Sequence, residues 1–120
     1  MNTPSNAARA AISGLSWSTT ERVVSEPAKA SQRVYFVQES STGAIKIGVA
    51  RDVYTRFHNL QTANPYPLTL LGHIHGDVPL ERSIHARFAE FHVRGEWYAP
   101  VPSLLEFIQA ALAADYSANH

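Results

Sequence analysis

Apolar positions along this chain set in only after a long polar start. From Met1 to about Gln32 the residues are mostly Ala, Ser, Thr and Asn without a sustained hydrophobic period, ending in Glu26-Pro27-Ala28-Lys29. That composition predicts a flexible tail over 1–32, with room for a turn of helix at Ala7–Ile12 and a lone anchor in Trp17. Order begins at Arg33. Val34-Tyr35-Phe36-Val37 and Ile45-Lys46-Ile47-Gly48-Val49 are β-branched or aromatic runs around Ser40-Ser41-Thr42-Gly43, the pattern of a β-hairpin. With Glu39 paired to Ala44 across a four-residue loop, Tyr35 falls opposite Gly48, and Lys46 shares the face of Tyr35.

The period then lengthens. Asp52 caps a predicted helix striped by Val53, Phe57 and Leu60, with Arg56 off the stripe, and Pro65 and Pro67 end it. Leu68 to Ile74 alternates as a third strand, Leu68, Leu70 and Ile74 on one side and Thr69, Leu71 and His73 on the other. Pro79 opens a second helix through Leu80, Ile84, Phe88 and Phe91, closed at Arg94-Gly95, with Glu81 and His85 on an adjoining face. A short extended piece, Glu96-Trp97-Tyr98, leads to a last helix in which Ser103 and Glu106 form a capping box ahead of Ile108 and Leu112. The order β-β-α-β-α-α predicts an α+β domain over 33–114, with a mostly antiparallel three-stranded sheet flanked by helices and a C-terminal tail at 115–120.

Composition narrows the function. The chain has no cysteine, which removes disulfides, zinc-thiolate sites and thiol catalysis. It shows no signal-peptide pattern and no apolar stretch of membrane-spanning length, so a soluble cytoplasmic protein without a membrane partner is expected. Ten basic and ten acidic residues cancel, and between Arg33 and Trp97 seven Lys/Arg stand against six Asp/Glu. Nucleic-acid binding therefore has to use a local patch rather than the bulk field.

Val34-Tyr35-Phe36, then Lys46-Ile47-Gly48 and a helix bearing Arg56, resemble the GIY-YIG nuclease superfamily. Leu60-Gln61-Thr62-Ala63-Asn64-Pro65, Glu81 with His85, and Gly95-Glu96-Trp97-Tyr98 carry the resemblance to its short phage and bacterial branch, whose members often read KIG for YIG. It implies a metal-dependent endonuclease acting on DNA before RNA. Glu81 would hold one divalent ion, Mg²⁺ or Mn²⁺, hard cations that take oxygen ligands. Arg56 would grip the scissile phosphate with a planar fork, in a nucleic-acid contact that includes Gly48 and Arg51. Tyr35 would orient or deprotonate the attacking water, with Lys46, Arg56 and the metal lowering its phenol from the usual value of about 10. Lys46 stands where many relatives have a second tyrosine, and it brings positive charge but no base. His85, one turn after Glu81, is the nearest candidate proton carrier, and His58 is poorly aimed for that role.

Each of these residues has a plainer reading. Glu81 then pairs in solvent with Arg82 or His85, Arg56 forms a helix pair with Asp52, Tyr35 is a half-buried strand tyrosine and Lys46 an exposed one. Gly48 permits close approach of a backbone or phosphate, while Trp97, Phe57, Leu60, Ile84, Phe88 and Ile108 belong to packing. Two other functions compete: a binding module that keeps the fold without efficient turnover, and a zinc protein using His73, His75, Glu81 and His85. No DNA-reading motif is recognisable, so sequence-specific cutting calls for a partner protein, an oligomer or the N-terminal tail.

Overall fold

A computed structural model describes residues 31–119; the expectations for Ala7–Ile12 and Trp17 lie outside them. Strands β1 (Arg33–Glu39) and β2 (Ile45–Ala50) are followed by α1 (Val53–Thr62), β3 (Leu68–His75) and α2 (Val78–Arg87). A 3-10 turn (Ala89–Phe91), β4 (His92–Arg94), β5 (Trp97–Tyr98) and α3 (Pro102–Asn119) complete the order. The sheet is antiparallel, in the order β3-β1-β2-β5-β4, with five strands where three were expected.

The hairpin forms in the register its loop dictates. Glu39 donates its backbone N–H to Ala44 O at 2.9 Å, Tyr35 pairs with Gly48, and Lys46 pairs with Val37. Because opposite residues share a face, β1 splits its burial between two layers. Val34 and Phe36 join Ile45, Ile47, Ile84, Phe88, Leu104 and Ile108 beneath α2 and α3, whereas Tyr35 and Val37 join Val53 and Leu68, with Phe57 and Leu60 of α1 packed against them. Each fully buried aliphatic or aromatic side chain contributes about 1.5–3 kcal/mol, so β1, buried on both faces, anchors the domain.

Three expectations change where non-local pairing overrides the period. In β3 the register slips between Phe36 and Val37, so Gly72 pairs with Phe36 and Leu70 with Val37, leaving Leu71 as a bulge. Leu68 and Leu70 therefore face α1 while Ile74 faces α3. Gly72, at φ +152, lets α3 sit close, since a Cβ there would meet Leu112 at 2.6 Å. The second helix ends at Arg87. Phe88 caps it outside helical geometry and His92 turns extended, so 92–94 become a strand and Gly95, at φ +54, turns a hairpin rather than closing a helix. Finally, α3 starts at Pro102, with Leu104 N–H and Leu105 N–H both donating to Val101 O, which puts Ser103 inside the first turn and not at the cap.

The last helix also continues through 115–119, past the expected boundary at 114. Asp115 ties it to the sheet edge, accepting from His75 N–H at 2.9 Å and from the Arg33 guanidinium at 3.0 Å. At the start of α1, Asp52 caps as expected, accepting from Thr55 N–H at 3.0 Å and from its hydroxyl at 2.7 Å. Gln61 then staples the exit of that helix, accepting from Leu68 N–H and donating to Tyr66 O. Among the described residues no helix is long and apolar enough to cross a membrane.

Candidate active site

The site lies where β5 stops short. Only Ile45 and Lys46 of β2 pair with β5, and beyond them α2 packs along the same strand. His85 of α2 reaches Ile47 O with Nε2 at 2.9 Å and rests its ring on Tyr98 at 5.3 Å. A carbonyl only accepts, so Nε2 donates its proton in this contact and Nδ1 is left facing away from it. On the next position, Ile47 N–H donates to Glu96 O at 3.0 Å, which fixes the β4–β5 turn against the same strand.

Tyr35 is the centre of the arrangement. It is 1% exposed, and its ring lies directly on Gly48, where a Cβ would come within 2.4 Å of the hydroxyl oxygen. What Gly48 admits here is the chain's own phenol. Among the described residues the Tyr35 hydroxyl is the buried side-chain polar atom with no hydrogen-bond partner, a state that costs about 1–3 kcal/mol. Burial pushes its pKa up, against the pull of Arg56 and with the push of Glu96 and Glu81. Without a metal ion, desolvation outweighs the pull of Arg56, and the resting group is neutral phenol.

Lys46 is directed at Glu96. Its Nζ lies 3.1 Å from Glu96 Oε1, its side chain is 15% exposed, and it stands 5.8 Å over the Trp97 ring. It is neither an exposed lysine nor a free one. Glu81 is 7% exposed, so the solvated pairing with Arg82 does not form. Burial raises its carboxyl above the ordinary range, with the Glu96 carboxyl, in hydrogen-bond reach, adding to the rise and His85 and Lys46 opposing it. Glu96 is the residue sequence reasoning passed over, because 92–94 read as helix end; a strand there places Trp97 beside Lys46 and Glu96 next to the pair.

Arg56 is exposed on α1, close enough to Tyr35 to favour its ionised form. Asp52 directs its carboxylate to Thr55, and among the described residues no ion pair joins it to Arg56. Arg51 and Arg56 line one surface groove of about 350 Å³ together with Thr55 and Asn59. The remaining histidines are spread out. His73 and His75 lie at the opposite edge, on Arg33 and Asp115, and His92 holds Gly95 O at 2.7 Å. Among the described residues no three His, Asp or Glu gather as metal ligands, so His73, His75, Glu81 and His85 do not make one zinc site.

Fold and site together define a five-stranded α+β module in which a desolvated tyrosine lies within electrostatic reach of an arginine and a carboxylate pair. The chain belongs to the T5orf172 domain family, whose model matches residues 32–111, a phage-associated domain related to nucleases. No curated protein and no solved structure matches it.

Proposed function

We propose that this chain is a GIY-YIG-type endonuclease that hydrolyses phosphodiester bonds in DNA with one divalent cation, Mg²⁺ or Mn²⁺. The observation that carries the reading is the Tyr35 hydroxyl, buried on Gly48 and within electrostatic reach of Arg56, Glu96 and Glu81. A desolvated polar atom without a partner is expensive in a structural core and is the kind of feature that function retains. Arg51 and Arg56 bind the phosphate from the groove beside α1 and offset charge developing on its oxygens. The Tyr35 hydroxyl orients the attacking water. Its proton affinity favours an uncharged role until a cation is present, and the metal supplies that charge and polarises the water and the phosphate. Glu81 gives the cation a hard oxygen ligand, and His85, held through Nε2 by Ile47 O, carries a proton through Nδ1.

The test is metal-dependent nicking of supercoiled plasmid by the full chain. Arg56→Ala and Glu81→Ala are expected to abolish it, and undiminished nicking by both would sink the assignment. A second reading, a nucleic-acid-binding module without turnover, is favoured by Lys46 being tied to Glu96. Retention of DNA in a gel-shift assay, with no nicking under Mg²⁺ or Mn²⁺, decides for it.

A further inference from the structure

The Lys46–Glu96 pair is unusual in what it leaves undone. Among the described residues Lys46 pairs with Glu96, at 3.1 Å, while Glu81 is the more deeply buried of the two carboxylates and has no cation within salt-bridge distance. Two adjacent carboxylates beside one ammonium either share a proton or leave a negative charge partly out of water, a condition that a metal relieves when it binds both. Glu96 has a 41% exposed side chain and opens to solvent, whereas Glu81 is closed off. The Tyr35 hydroxyl, unpartnered and 1% exposed, adds a third oxygen close enough to act electrostatically with both. His85 is not available through Nε2, which Ile47 O holds.

We propose that Glu96 is a second carboxylate ligand for the divalent cation, and that Lys46 is the internal cation that occupies Glu96 until that ion displaces it. This rests on the reading of Glu81 as a metal ligand. A compact ammonium neutralises one carboxylate, but a divalent cation neutralises both and completes its shell with water. Exposed Glu96 is the point of entry and buried Glu81 the point of retention. Once released, Lys46 remains on the Tyr35 face of β2, where a phosphate oxygen is its natural partner. The lysine that replaces a tyrosine thus becomes a cation whose availability to substrate depends on the metal. The competing account is a static bridge that merely holds the β4–β5 hairpin.

Mn²⁺ alone, titrated into the metal-free full chain and followed by calorimetry and by the EPR signal of free Mn²⁺, separates the two. The expected results are one site in the wild type, no site in Glu81→Gln, and affinity reduced roughly ten- to a hundredfold in Glu96→Gln. That reduction persists at about 0.5 M salt, where the Debye length is about 4 Å and a distant charge effect is screened. Lys46→Met binds Mn²⁺ more tightly than wild type, since the competitor is gone. The hairpin survives Glu96→Gln because its contact with Ile47 is through the backbone. Wild-type affinity in Glu96→Gln, or a loss that disappears in salt, overturns the second ligand; unchanged or weaker binding in Lys46→Met overturns the displacement. Failure of the wild type to bind Mn²⁺, or full binding by Glu81→Gln, overturns the underlying metal reading and the inference with it, a pattern distinct from either of the others.

Discussion

Two glutamates of this domain are buried to the same degree and are treated in opposite ways. Glu39 is 8% exposed and Glu81 7%. Glu39, at the end of β1, accepts from the backbone N–H groups of Ser41 at 2.8 Å and Thr42 at 3.0 Å and from both hydroxyls, the Thr42 one at 2.8 Å. Those donors hold its carboxyl down to about 2. Glu81 has no such cradle and faces another carboxylate, so its proton affinity is raised. Burial alone does not decide whether a carboxylate is structural. The number of donors aimed at it does, and a site built to receive a cation leaves them out.

The contrast breaks most visibly at Tyr35, which belongs to the Glu81 side. Tyr35→Phe is expected to lower the nicking rate by about 10²–10⁴-fold while leaving the melting temperature equal or higher, because the lost hydroxyl makes no hydrogen bond. A variant that melts lower and cuts normally would make the tyrosine structural. Next in size is Gly48→Ala. Its Cβ would overlap the Tyr35 ring, so denaturant unfolding should report a loss of about 1–3 kcal/mol. The Glu39 turn, at the other end of the hairpin, stays intact.

Glu81→Gln sharpens the comparison through its pH dependence. The folded carboxyl binds its proton more tightly than the unfolded one, so its contribution to stability is full below the ordinary glutamate range and is lost as pH rises through the raised value. Without metal, the glutamine variant should therefore melt above wild type at pH 7 to 8, and thermal scans near pH 4 should show the advantage gone. Glu39→Gln runs the other way. Its depressed carboxyl stabilises the fold above about 4.5 and loses that contribution as pH falls toward about 2. The variant should melt below wild type at pH 7, with the gap closing on acidification. Equal pH profiles for the two variants would erase the distinction between them.

Much of this was legible from residue order. The hairpin register, the Asp52 cap and the pairing of Tyr35 with Gly48 follow from loop length, alternation and a side chain that bonds a backbone three residues on. Helical spacing through Phe91 hid β4, because Phe88 and Phe91 sit at i and i+3 whether or not the helix continues past Arg87. Glu96 was hidden with it. Alternation in β3 likewise missed the bulge at Leu71, beside Gly72, where β1 pairs with the strand and Leu112 of α3 packs on it.

Sequence alone determined which residues can meet at the site, since Tyr35, Gly48 and Lys46 are set on one face by a two-residue period that operates over a few ångströms of backbone. Tertiary structure decided their electrical state. Whether Tyr35 is pushed up or down, whether Lys46 is free or held by Glu96, and whether Glu81 is wet or buried depend on segments up to tens of residues apart closing over them. Desolvation and charge proximity are properties of that closure, and no local pattern encodes them.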